Sequence, residues 1–276
     1  MNKNARKLIP AVAMLLVSAS MLSTASYAWF SMNNKVTAGG MNVNVVTPGD
    51  LMISTTTDFS AKKSSETLTE ANPKTVVPVS SVNGTDDSFY YATTKGVQEA
   101  GTITDETEIK KLETDFTNLK ADYGTTVIGY VDYTFYVQSS ANVDKEIIYS
   151  VADTKVIYTG TGSNSTENAF RWTIFVAETT ASSATANNVS PLMSNERSTD
   201  KTKAWNATKA SGTAGTAVGT MSYYTNDAVI WTAISTKTYQ VKVRIWLDGE
   251  DPLTTTSNFA SLTSDYSLTV ALAIKE

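Results

Sequence analysis

The sequence predicts an all-β fold: a jelly-roll-like antiparallel β-sandwich with one inserted helix. Three observations predict it. Apolar residues recur at a period of two over many short segments. Thr, Ser and Val are abundant, and Pro is scarce, 6 in 276 residues. His and Cys are absent, so the chain has no disulfide and relies on its core. Segments with one apolar and one polar face favour antiparallel pairing, because parallel sheets are covered on both faces.

The first element is residues 1–28. Lys3, Arg6 and Lys7 precede an uncharged stretch from Leu8 to Leu22 centred on AVAMLLV, and the small, polar run Ser23 to Ala28 follows. That order is that of a secretory signal peptide, with Ser26 and Ala28 at −3 and −1 of a cut between Ala28 and Trp29. Pro10, Ser18 and Ser20 interrupt the apolar stretch, which is shorter than the ~20 residues of a membrane span. The expectation is export through the Sec pathway to the cell surface or beyond, with membrane contact only before cleavage. The alternative is a retained N-terminal anchor. With the three basic residues of the signal removed, the 22 Lys+Arg fall to 19 against 27 Asp+Glu, a net charge of −8. That disfavours nucleic acid as a partner.

Residues 29–40 form a short arm. It begins with Trp29 and Phe30, continues through Met32 and Val36, and ends on Gly39-Gly40. The domain proper is expected over 41–276. The alternating strand Met41-Val43-Val45 opens it. Shorter strands are expected at 51–54, 76–79, 88–91, 147–151, 155–158 and 228–234. The longest alternations are Val131-Tyr133-Phe135-Val137, Phe170-Trp172-Ile174-Val176, Tyr239-Val241-Val243-Ile245-Leu247 and Tyr266-Leu268-Val270-Leu272-Ile274. Their other parity carries Asp132, Arg171, Thr173, Lys242 and Arg244, the expected wet face.

One segment departs from this period. Between Asp105 and Tyr123, Ile109, Leu112, Phe116 and Leu119 recur at steps of three and four, one face of a helix. Asp105 with Glu108 resembles a capping box, and Gly124 stands where a C′ glycine belongs. A helix is therefore expected at about 105–123, packed on the sandwich; the alternative is a charged loop. Loops are expected at 55–75, 178–220 and 249–258, and the middle one is long enough to need a purpose.

The residues exclude much chemistry. Without His there is no Ser-His-Asp triad and no HExxH zinc site; without Cys there is no thiolate nucleophile or Cys-ligated metal. Asp248, Glu250 and Asp251 surround Gly249 and are a weak calcium candidate, since calcium accepts oxygen ligands in flexible geometry. An acidic turn before Pro252 explains the same residues more simply. Asn83-Gly84 with Asp86-Asp87 is likewise a turn signal first. Among 27 acidic residues a glycosidase-like carboxylate pair can always be found, so none is assigned. The aromatics Tyr130, Tyr136, Phe175 and Trp246 fall on the outward parity; they are expected under the helix or a second sheet rather than on a sugar-binding surface. No catalytic residue and no cofactor is assigned.

The arm carries the functional expectation. An apolar N-terminal ribbon beside a sandwich can add as a strand to the sheet of the next subunit. Gly39 and Gly40 would be the hinge that lets it leave its own domain. Head-to-tail addition of this kind does not close and builds a filament. The equal alternative is that the ribbon is the first strand of its own domain.

The run SYAWFSMNNKVTAGGMNVNV, from the signal into the first strand, resembles the start of the TasA/camelysin family of secreted biofilm-matrix fibre proteins. Ala28 matches the family's small-x-Ala junction, Phe30 the aromatic near the new N-terminus, and Thr37 to Val43 the strand entry. The C-terminal YQVKVRIWLDGEDP resembles a late strand and acidic turn of related exported proteins. The likeness covers the first 46 residues and, loosely, about the last 40. It implies a jelly roll, a dedicated signal peptidase as a processing partner, and self-assembly into extracellular matrix fibres by donated N-terminal strands Trp29, Phe30, Met32 and Val36. It also implies, for some members, a metallopeptidase activity that a chain without His or Cys is poorly equipped to carry. The expected function is thus a non-enzymatic fibre subunit that partners itself head to tail. A monomeric carbohydrate- or surface-binding sandwich is the alternative.

Overall fold

A computed structural model describes residues 36–38, 42–46, 51–60, 63, 65–69, 74–92, 109–123, 126–140, 143–158, 169–180, 226–235, 237–249, 261–262 and 266–275, with short strand pieces between 183 and 220. Two facing sheets enclose the larger core. In spatial order the first contains Ala228–Ala233, Lys145–Tyr149, Tyr266–Ile274, Asn42–Val46 and Ser65–Thr69, and Lys155–Tyr158 joins the start of Tyr266–Ile274. The second contains Phe170–Thr180, Thr238–Leu247, Val131–Ser139 and Leu51–Ser54. Nearly every connection crosses from one sheet to the other, the habit of a jelly roll.

The period of two puts alternate side chains inside. Val43, Val45, Leu268, Val270 and Leu272 of the first sheet meet Phe135, Val137, Trp172, Ile174, Val241 and Val243 of the second. Each such burial is worth about 1.5–3 kcal/mol, and together they stand in for the missing disulfides. Pairing is antiparallel within the second sheet. The first sheet departs from the antiparallel expectation, because Asn42–Val46 lies parallel to Tyr266–Ile274, with Val43 opposite Leu268. The two strands come from opposite ends of the domain, so no hairpin dictates their direction.

The expected wet face of the second sheet is wet only in part: Asp132 and Thr134 are exposed and Lys242 is half-buried, but the rest is covered. Arg171, Thr173, Phe175, Arg244 and Trp246 are all buried. A third layer covers much of that face, built from the small sheet Ser80–Ser81, Phe89–Ala92 and Ile109–Lys111, the helix Thr117–Tyr123, and residues 126–130. Val77, Val79, Phe89, Leu119, Tyr123 and Tyr130 of this inserted layer form a second core with Trp246 of the sheet. Tyr130 and Trp246 therefore lie under the helix, where they were expected.

The helix is shorter than the 105–123 the sequence suggests; residues 105–108 lie outside the described residues. Ile109–Lys111 is a strand paired with Phe89–Ala92, and Phe116 sits at φ 61°, which stops a right-handed helix from passing through it. The helix begins behind it: the Lys120 N–H donates to the Phe116 carbonyl, and the Asp115 carboxylate accepts from the Thr117 N–H at 3.2 Å. Leu112 and Leu119 still reach one core, but only Leu119 does so from the helix.

Two expected loops also contain strands. Ser65–Thr69 falls within 55–75, and Lys74–Val76 runs from its end into the strand expected at 76–79. Within 178–220, Ser183–Ala184, Asn188–Val189 and Met193–Ser194 pair with Phe170–Thr180 and shield its edge, while Lys203–Asn206 pairs with Thr216–Thr220. Such two-residue pieces are too short to announce themselves by periodicity. Among the described residues no helix is long and apolar enough to cross a membrane.

Candidate functional site

The described end of the arm is the strand Val36–Ala38. It lies between two others of its own chain. Val36, Thr37 and Ala38 face Val76, Thr75 and Lys74 in antiparallel register. Thr37 and Ala38 face Ser261 and Leu262 in parallel register. Each backbone hydrogen bond nets only about 0.5–1.5 kcal/mol, so a ribbon three residues long is lightly held compared with the five-residue strand Asn42–Val46, paired along its length on both sides. Trp29, Phe30, Met32, Ala28, Gly39 and Gly40 lie outside the described residues.

The walls of this slot lead to one junction. Lys74–Val76 continues into a segment tied to the end of the strand Thr238–Leu247. The Val77 N–H donates to the Ile128 carbonyl at 2.8 Å, the Val79 N–H to the Leu247 carbonyl at 3.0 Å, and the Gly249 N–H to the Val79 carbonyl at 3.0 Å. The other wall, Ser261–Leu262, belongs to the chain that leaves the same strand end beyond Gly249.

Asp248 stands at that junction and is fully buried. Its N–H donates to the Ala169 carbonyl at 2.9 Å, its Oδ2 lies 3.0 Å from an Arg171 guanidinium nitrogen, and Ser80 Oγ is 3.4 Å from its Oδ1. Arg171 is itself buried. Asp248 thus neutralises an interior arginine instead of facing solvent from an acidic turn, which removes it from the calcium candidate. Glu250 and Asp251 lie outside the described residues. Among the described residues no group of three or more acidic side chains could hold a metal ion.

A second arginine fastens the inserted layer. Arg244 Nε and a terminal nitrogen donate to the two Asp132 carboxylate oxygens at 2.7 and 2.8 Å, a fork that suits guanidinium geometry. Its other terminal nitrogen donates to the Gly84 carbonyl at 3.0 Å and to Asp86. The Tyr130 ring lies 3.7 Å from the guanidinium carbon, and Tyr130 donates its hydroxyl to Asp86 at 3.1 Å. The turn before Asp86 needs glycine: Gly84 has φ +73°, and a Cβ there would meet Thr173 Cγ2 at 2.6 Å and the Trp246 ring at 2.9 Å.

The charges follow this geometry. Burial works to raise the Asp86 pKa, but the hydrogen bond and charge of Arg244, with the Tyr130 hydroxyl, outweigh it and hold the carboxyl below its ordinary 3.8. Burial works against the Arg244 charge, and Asp132 and Asp86 more than restore it. Burial pushes the Tyr130 hydroxyl far up, so it stays a donor.

Neither arginine was singled out from sequence. A signal was there: the chain has four arginines among 22 basic residues, and two sit mid-strand on the parity opposite the core. Arginine, whose fork pairs bidentately, is the cation suited to burial with carboxylates. The arrangement is that of a β-sandwich carrying an inserted layer and an N-terminal strand slotted at one edge. Compared with protein-family models, curated proteins and solved structures, the chain matches none.

Proposed function

We propose that the chain is an exported structural subunit that polymerises head to tail by passing its N-terminal strand to the next copy. After processing between Ala28 and Trp29 by a signal peptidase, the arm 29–38 is donated: its strand Val36–Ala38 leaves its own slot and occupies the equivalent slot of a neighbour, between Lys74–Val76 and Ser261–Leu262. The observation that carries this reading is the ribbon Val36–Ala38: paired on both sides over two or three residues, and separated by Gly39-Gly40 from a strand built firmly into the domain. Exchange keeps every pairing and changes only which copy supplies it, the low-cost route by which swapped elements join protomers. Beyond the exchanged strand, Trp29, Phe30 and Met32 add apolar area that can be buried against the acceptor. The resemblance of the N-terminal run to the matrix-fibre family supports the same reading, in which assembly happens outside the cell.

The self-paired arm also favours a second reading, a closed monomer whose first strand stays at home and whose surface binds a glycan or another surface component. One comparison separates them. The chain from Trp29 and a shorter chain from Gly40 are concentrated and examined by electron microscopy and size exclusion. The proposal expects filaments from the first and monomers from the second. Filaments from both, or monomers from both, contradict it.

A further inference from the structure

We propose that the inserted layer is the movable wall of the arm's slot and that the Arg244–Asp86 contact is the pin that keeps this wall closed. The inference deepens the strand-exchange reading and rests on it for its purpose, though not for its test.

The strand Lys74–Val76, which pairs with the arm along all three residues, lies in the small sheet that holds the arm and runs without interruption into the inserted layer at residues 77–92. This layer meets the sandwich through few polar ties. Backbone bonds join Val79 to Leu247 and Gly249. Ser80 reaches Asp248. Arg244 grips Gly84 O and Asp86. The Tyr130 ring covers the Arg244 guanidinium, and the apolar attachment includes Phe89 edge-on to Trp246 at 5.1 Å between ring centroids. Apolar contact resists separation but does not fix position, whereas the guanidinium fixes the 84–86 turn in direction as well as distance.

The pin is separable from the sheet. Arg244 is held on its own side by Asp132 of the neighbouring strand, so loss of Asp86 leaves no buried cation uncompensated. Asp86 is about half exposed, 53% of its side chain, so its replacement leaves no large void. Removing Asp86 therefore loosens the layer without opening the sandwich. The consequence falls at the other end of the same segment: if the layer lifts as a unit, Lys74–Val76 withdraws from the arm, and Val36–Ala38 loses the longer of its two ladders.

Hydrogen exchange of the monomeric chain from Trp29, read by mass spectrometry on peptides covering 36–38, 74–76, 84–92, 238–247 and 266–274, tests this without requiring fibres. In Asp86→Ala, and to a smaller degree in Asp86→Asn, exchange at 36–38, 74–76 and 84–92 rises together by about tenfold, the equivalent of one charge-assisted hydrogen bond, while 238–247 and 266–274 keep their protection. Faster exchange at 84–92 alone, no change in any peptide, or uniform loss across all five in both variants overturns the proposal. Filament growth is then followed in the same proteins. Coupled exchange accompanied by faster growth supports pin and polymer together; coupled exchange with no filaments in any variant leaves the pin standing and removes the strand-exchange reading.

Discussion

Arg171 and Arg244 carry positive charge into places water does not reach, and each is tolerated because a carboxylate was brought with it. The two pairs differ in what their loss leaves behind. Asp248 has no exposure and Arg171 almost none, so Asp248→Asn strands a cation in the interior. Breaking a buried pair from one side costs about 3–5 kcal/mol, and urea denaturation of Asp248→Asn is expected to show a loss in that range; a loss below about 1 kcal/mol would contradict the role given to the pair. Asp86 behaves differently, because its partner keeps Asp132. Its carboxyl is held below 3.8 in the folded chain, so its contribution is complete above that value and disappears as pH falls through the lower folded value. Acid titration of stability is therefore expected to be steeper in the native chain than in Asp86→Asn. Parallel curves would show that Asp86 contributes nothing to the fold.

At the scale of elements, the long strands were legible because burial on one face writes a period of two into the sequence, and their core residues were read correctly from Phe135 to Leu272. The opposite face was not legible. The dry part of it, around Arg171, Thr173, Arg244 and Trp246, depends on a layer arriving from residues 77–92, 109–123 and 126–130, and no local pattern in Thr238–Leu247 says what will cover Arg244. The helix is shorter than expected for a related reason: Leu112 and Leu119 keep helical spacing although Leu112 follows the strand Ile109–Lys111 and only Leu119 lies in the helix, with the left-handed Phe116 between them. The parallel meeting of Asn42–Val46 with Tyr266–Ile274 was equally silent, since a ladder between distant segments leaves no spacing to count. The residues Asn83-Gly84 carry turn chemistry in the sequence, and the structure adds that a side chain at Gly84 would collide with Thr173 and Trp246. Gly84→Ala needs both a strained φ and displaced neighbours. A loss of about 2 kcal/mol is expected in thermal or urea unfolding, and a neutral substitution would show that the layer sits further from the sheet than described.

For the whole molecule, the first and last strands of the sandwich lie side by side, so the domain is closed whether or not the arm is present. That independence is what the proposed exchange requires. Of the candidate site, the described strand Val36–Ala38 falls within the arm expected from sequence, but its place between Lys74–Val76 and Ser261–Leu262 was not legible, because both walls are too short to show a pattern. The absence of cysteine offers a direct probe. Val36 and Val76 are register partners, at the separation that suits a disulfide, and a chain carrying Val36→Cys and Val76→Cys has no other thiol. Oxidising the monomer should link the chain to itself and block assembly. Oxidising filaments grown under reducing conditions should give a ladder of covalent multimers on a denaturing gel, each arm fixed in the slot of its neighbour. Filaments that yield only single-chain bands after complete oxidation would show that the arm never left home.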